Sequence, residues 1–346
     1  MNTIEEIVDN YKKKLNEIYA RANTKSKRKR IARDLIAFKQ MCTEIFEIDK
    51  KFAWEDDTQI LSLFKNYRVQ FVQNIVNNSV SYNSMFTNVI NEFIKDDFQV
   101  YKYYEIGYQR LTIKEMQELI FDFLGNYDYR ILKDFKEKLD NAELFYADLN
   151  GYNGITYSIG CLNKNLIFYT PAYGYNINST ATIIHETGHS FEMNTYYSVG
   201  RINYFDMVRS TPYYEISSRF LEYAFLNYLK ENNICVQDVN KRLHTFLFDL
   251  LVRSYEIMLI YKMNEINIDE LDNIYITDDS LKEETKEIQE KINYYSLQSE
   301  KGDIIKYKNS FLYGLGNLTA IHLYENYKED PNYFKKKIKK CSSYIS

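Results

Sequence analysis

With 346 residues, 45% of them hydrophobic and 16% aromatic, the chain carries enough apolar material for one large domain or two ordinary ones. Its net charge of −4 argues against a general nucleic-acid binder, which is usually basic. The polar, acidic start Met1-Asn2-Thr3-Ile4-Glu5-Glu6, the lack of any apolar run of membrane-span length, and four scattered cysteines (Cys42, Cys161, Cys235, Cys341) without a C-x-x-C pair set the expectation: a cytoplasmic protein with reduced thiols, partnered by neither membrane nor nucleic acid.

The chain has three prolines, and none precedes Pro171, so long helices are permitted in the first half. Ile4, Ile7, Tyr11, Leu15 and Ile18 recur at helical spacing and predict a helix over residues 4–22. Ile31, Leu35, Phe38, Met41, Ile45 and Ile48 predict a second from Lys27 to Lys50. The basic run Lys25-Ser-Lys-Arg-Lys-Arg30 between them reads as a solvated turn and first helical turn rather than a phosphate site. Residues 57–110 read as further helices, making 1–110 an N-terminal helical segment ahead of a region 111–346 of different character.

That second region opens on Thr112-Ile-Lys-Glu115, the pattern of a helix cap with its reciprocal glutamate. The helix runs through Met116, Leu119, Ile120 and Phe123 to Gly125, and another follows from Tyr129 to Leu139. Ile155, Tyr157, Ile159 and Cys161 then alternate with small or polar residues, which predicts a strand. Asn163-Lys-Asn165 reads as a turn and Leu166–Thr170 as a second strand, stopped by Pro171. Asn178 or Ser179 is placed to cap the next helix. A small sheet thus precedes that helix, and an edge strand there could hold an extended peptide by strand addition.

The next helix carries Ile183-Ile184-His185-Glu186-Thr187-Gly188-His189, an H-E-x-x-H stretch. Residues four apart share a helix face, so His185 and His189 can bind one ion, with zinc–nitrogen distances of roughly 2.0–2.1 Å. Glu186 is turned about 100° from His185, which sets its carboxylate beside the ion to take a proton from bound water. The chain has four histidines in all (His185, His189, His244, His322), so abundance does not account for the pair.

A catalytic zinc needs a third protein ligand. Glu192 would crowd one side of the ion, being on the same helix, and Asp206 lies in a stretch without periodicity. Glu215 follows Pro212, which suits a helix start, and Glu215, Ser218 and Glu222 form one helical stripe. Such a stripe can be a solvated face; beside an H-E-x-x-H helix the favoured reading is a ligand (Glu215) with supporting groups (Ser218, Glu222).

The pair His185-Glu-Thr-Gly-His189 and Glu215-Ile-Ser-Ser218-x-x-x-Glu222 resembles the thimet oligopeptidase and oligoendopeptidase F family, whose members carry H-E-x-G-H followed by E-x-x-S-x-x-x-E. Softer similarities extend over residues 110–340: the helices before the sheet, Arg253-Ser-Tyr-Glu256, and Tyr313-Gly-Leu-Gly316 with Ala320. The resemblance implies a mainly α, zincin-type peptidase with a small sheet before the motif helix and a deep cleft. It implies bound Zn2+ on His185, His189 and Glu215, Glu186 as general base, and short peptides as substrates. Two departures stand out. The N-terminal part is shorter than is common in the family, and Gly302-Asp-Ile-Ile-Lys-Tyr307 lacks the histidine that members carry before the Tyr-x-x-Gly segment. Tyr307 and Tyr313 are then the candidate oxyanion donors, with Gly314 and Gly316 leaving room at Tyr313, while His322 reads as a packed helix residue. The competing readings are a carboxypeptidase-like enzyme on the same site and a peptide-binding or regulatory protein that kept the metal helix. Oligomeric state has no signature in the sequence.

Overall fold

The computed structural model describes residues 3–51, 84–91, 107–141, 143–147, 149, 153–170, 174–198, 215–262, 267–269, 273–275, 280, 283, 286 and 304–329. They are mainly helical, with two three-stranded sheets. The chain divides into two compact units: Met1–Tyr67, Tyr108–Ser210 and Lys335–Ser346 form one, and Arg68–Gly107 with Thr211–Phe334 the other. No described helix is long and apolar enough to cross a membrane.

The first unit begins with α1 (Ile4–Arg21) and α2 (Lys25–Glu44). Thr3 and Glu6 close a reciprocal cap on α1, and Thr24 caps α2 by accepting from the Lys27 N–H at 3.2 Å. The basic run thus lies in the first turns of α2, where residues 25–28 are exposed. The helix stops at Glu44, short of the expected Lys50, and Glu47 takes a positive φ of 55° just beyond. Leu15, Leu35, Phe38 and Met41 are buried in one core with Tyr157, Ile159, Leu166 and Phe168 of the sheet. Fully burying each such side chain stabilises by about 1.5–3 kcal/mol, so this core holds the α1–α2 hairpin onto the sheet.

α3 (Ile113–Tyr127) carries the Thr112–Glu115 box read from sequence, and Asp128 both ends α3 and caps α4 (Tyr129–Asp140). The sheet that follows has three strands rather than two: β1 (Leu144–Tyr146), β2 (Gly154–Ile159) and β3 (Lys164–Tyr169), in the order β1-β3-β2. β3 runs parallel to β1 and antiparallel to β2, with Thr156 opposite Ile167 and Tyr157 opposite Leu166. The turn between β2 and β3 is a short 3-10 segment, Gly160–Leu162, closed by Asn163 in the left-handed conformation, so β3 starts at Lys164 and not after Asn165.

Both faces of β2 are covered. Ile155, Tyr157 and Ile159 face the α1–α2 core, where the Tyr157 hydroxyl donates to the Asp34 carbonyl at 2.8 Å. Gly154 and Thr156, on the other face, lie against α5 (Ile177–Ser198), the motif helix. Asn165 on β3 reaches the same helix, donating to the Ser190 carbonyl and to Asn194.

In the second unit, α6 (Ile216–Glu231), α7 (Val236–Lys262) and α8 (Tyr307–Glu329) pack together through Phe220, Tyr223, Phe246 and Tyr324. A β-carbon on Gly314 of α8 would stand 3.1 Å from Arg253 Cβ and 3.2 Å from Phe86 Cε1, so the glycine permits close packing there. Three short antiparallel strands, β4 (Asn267–Asp269), β5 (Asn273–Tyr275) and β6 (Ile304–Lys306), form the second sheet in that order.

Candidate metal centre

Asn176 caps α5, not Asn178 or Ser179: its Oδ1 accepts from the Ser179 N–H at 2.9 Å, and the Ser179 hydroxyl accepts from the Asn176 N–H at 3.0 Å. Residues 181–190 are all buried, so this stretch of the helix has no solvent face to carry its polar side chains. The threonines solve that locally. Thr180, Thr182 and Thr187 donate to the carbonyls of Asn176, Asn178 and Ile183, each one turn back. Further along, Asp134 of α4 accepts from Ser190 at 3.4 Å and Asn194 at 2.5 Å; burial pushes its carboxyl above the usual range.

His185 and His189 sit one turn apart on this helix, their ring centroids 4.9 Å apart. One donor atom from each, and one from the Glu215 carboxylate, all lie within 4.8 Å of one another, and all three residues are buried. Two imidazoles and one carboxylate are the donor set of a three-ligand site that keeps a position open for water or substrate. Burial strengthens the fit, because a dication compensates a buried carboxylate that would otherwise cost several kcal/mol. The structure thus gives the chain a buried His-His-Glu group that can hold a metal ion.

Glu215 occupies the cap position of α6 but makes no capping bond with its side chain. Instead the Ser218 hydroxyl reaches back to it, 3.0 Å from the Glu215 carbonyl and 3.2 Å from Oε2. The positive end of the α6 dipole favours a carboxylate at that point. Pro212, expected at the helix start, lies outside the described residues.

Glu222, one turn beyond Ser218, is fully buried between two arginines, Arg219 at 3.2 Å and Arg242 at 2.5 Å. Arg219 also approaches Asp249 (3.8 Å) and lies over the Tyr313 ring, 4.7 Å from its centroid. Burial works against the Arg219 charge, but Glu222, Asp249 and Glu215 outweigh it and raise its pKa. Arg253 is likewise held charged against burial by Asp249 and Glu256, and Asn317 of α8 donates to Asp249 at 2.9 Å.

Glu186 is buried on the sheet side of α5. Thr156 Oγ1 lies 2.7 Å from its Oε2 and 2.8 Å from its carbonyl oxygen. Gly154 makes the space for it: a β-carbon there would stand 3.0 Å from Glu186 Cγ, 3.1 Å from Oε1 and 2.7 Å from Thr182 Cγ2.

The remaining sequence candidates fall as follows. Glu192 is buried on α5 but does not join the group of three donors. Asp206 and the side chain of Tyr307 lie outside the described residues. Tyr313 is half-buried beneath Arg219. The glycines beside it do not open room for a substrate: Gly314 is packed on Arg253 and Phe86, and Gly316 on Glu215 and Arg219. His322 is exposed on α8 rather than packed. Sequence reasoning missed Gly154 and Thr156, because small and polar residues alternating with apolar ones read as a solvent face. Compared with protein-family models, curated proteins and solved structures, the chain matches none.

Proposed function

We propose that the chain is a zinc-dependent metallopeptidase acting on short peptides, a relative of the thimet oligopeptidase and oligoendopeptidase F enzymes. The observation that carries this reading is the buried meeting of His185, His189 and Glu215. His185, His189 and Glu215 would hold the ion. When bound, zinc supplies a Lewis acid that polarises the scissile carbonyl and makes water a nucleophile at neutral pH. Glu186 takes the proton from the attacking water and returns it to the departing amine. In place of the histidine absent before Tyr313-Gly-Leu-Gly316, the candidate donors to the oxyanion are Tyr313, whose ring lies beneath Arg219, and Tyr307. β2 is an outer strand of its sheet, which suits it to align an extended peptide.

A base has no task in a protein that only binds peptides, so the buried, hydrogen-bonded Glu186 supports turnover over the peptide-binding alternative. The test is a fluorogenic peptide library assayed with zinc-loaded and chelator-treated protein. Cleavage that depends on zinc supports the reading. A protein holding zinc that cuts no peptide in the library overturns it.

A further inference from the structure

The hold on Glu186 has a specific source. Thr156 is buried, and its single hydroxyl proton has two acceptors in reach: Glu186 Oε2 at 2.7 Å and the Glu186 carbonyl oxygen at 2.8 Å. The carbonyl lies inside α5, where it already accepts the backbone N–H one turn on. A carboxylate oxygen is the stronger acceptor, since charge-assisted bonds are roughly twice as strong as neutral ones. The proton therefore serves the side chain. Two residues earlier on the same face of β2, Gly154 carries no side chain, and Glu186 Cγ and Oε1 pack into the room a β-carbon would take.

From this geometry we propose that Thr156 is a positioning residue for Glu186: its hydroxyl fixes Oε2 against β2, so that Oε1 is the oxygen left to handle the proton. The contact itself is independent of the peptidase reading, and its effect on turnover rests on that reading. The competing role is purely structural, with the hydroxyl bonded to the helix carbonyl and the carboxylate left to find its own place.

A double-mutant cycle on the metal-free protein separates the two. Thr156→Val keeps the shape of the side chain and removes the donor. It should lower the melting temperature in the wild-type background and clearly less in Glu186→Ala. An equal drop in both backgrounds would show that the hydroxyl serves the backbone and would overturn the proposal. In the zinc-loaded protein Thr156→Val should cut kcat by about 10–100-fold with KM and zinc content unchanged, the range seen when groups that orient a metal site are removed. Thr156→Ser should restore most of it. Wild-type kcat in Thr156→Val overturns the positioning role. Should the wild-type protein cleave no peptide, the peptidase reading fails, while the stability cycle still decides the Thr156–Glu186 contact.

Discussion

A β-carbon on Gly316 would stand 2.8 Å from the β-carbon of Glu215 and 3.1 Å from its carbonyl oxygen. Helix α8 therefore passes the start of α6 with no side chain between them, and the candidate ligand is buttressed by bare backbone. Gly316 is not in left-handed conformation, so space alone explains the residue.

That contact makes Gly316→Ala a test of the site rather than of the fold. The added methyl must push Glu215 or Arg219 aside. Zinc affinity should fall by about 10–100-fold, the usual cost of disturbing a ligand's support. Gly314→Ala is the comparison, because its methyl meets Arg253 and Phe86 instead; it should lower the melting temperature and keep the metal. Equilibrium zinc titration of both variants gives the answer, and unchanged affinity in Gly316→Ala would remove Glu215 from the ligand set.

Ligand and base should separate cleanly. Wild-type protein is expected to hold about one zinc per chain. Glu215→Ala should lose metal and turnover together, whereas Glu192→Ala should keep zinc. Glu186→Gln should keep zinc and lose about 10²–10⁴-fold in kcat, the contribution typical of general acid–base catalysis. Elemental analysis beside a peptide assay covers all three variants, and near-normal turnover in Glu186→Gln would refute its role as base.

Tyr313→Phe removes a hydroxyl while leaving the ring under the Arg219 guanidinium. If that hydroxyl serves the oxyanion, kcat should fall by about 10²–10³-fold. KM should change far less, because the bond forms mainly in the transition state. Steady-state kinetics decide it, and an unaltered kcat would assign Tyr313 to packing alone.

The cap of α3 should show in the pH dependence of stability. Bonds from the Thr112 N–H and hydroxyl to Glu115 lower the Glu115 pKa in the folded protein. A lowered carboxyl pKa stabilises the fold above the unfolded-state value, and the gain is lost as pH falls through the folded-state value. Glu115→Gln should therefore melt below wild type at neutral pH, with the gap closing under acid conditions. A gap independent of pH would mean that the charge plays no part in the cap.

Local signals were legible in the sequence and tertiary ones were not. The Thr112–Glu115 box and the His185–His189 spacing are read within one helical turn, and both stand as expected. Glu215 was found from its place beside Ser218 on one stripe, and Ser218 does bond to it. The end of α2 was overrun, because Ile45 and Ile48 remain at least half-buried after the helix has stopped. β1 has only three residues and pairs with β3 in parallel, so no hairpin signal announces it. The strands of the second sheet are equally short. Thr156 stayed hidden for another reason: burial behind α5 converts what looks like a polar, outward position into a support for Glu186.

The two-sided cover of β2 limits how this protein can vary. Ile155, Tyr157 and Ile159 belong to the α1–α2 core, and Gly154 and Thr156 to the motif helix. A slip of one residue exchanges the two sets, burying the Thr156 hydroxyl in the α1–α2 core and driving the Ile155 side chain into the space that Gly154 keeps for Glu186. Conservative substitutions along the strand can be absorbed one at a time, but length cannot. Insertions and deletions should accumulate at exposed joints such as Asn23, between α1 and α2, and be purged from the segment between Asn153 and Lys164.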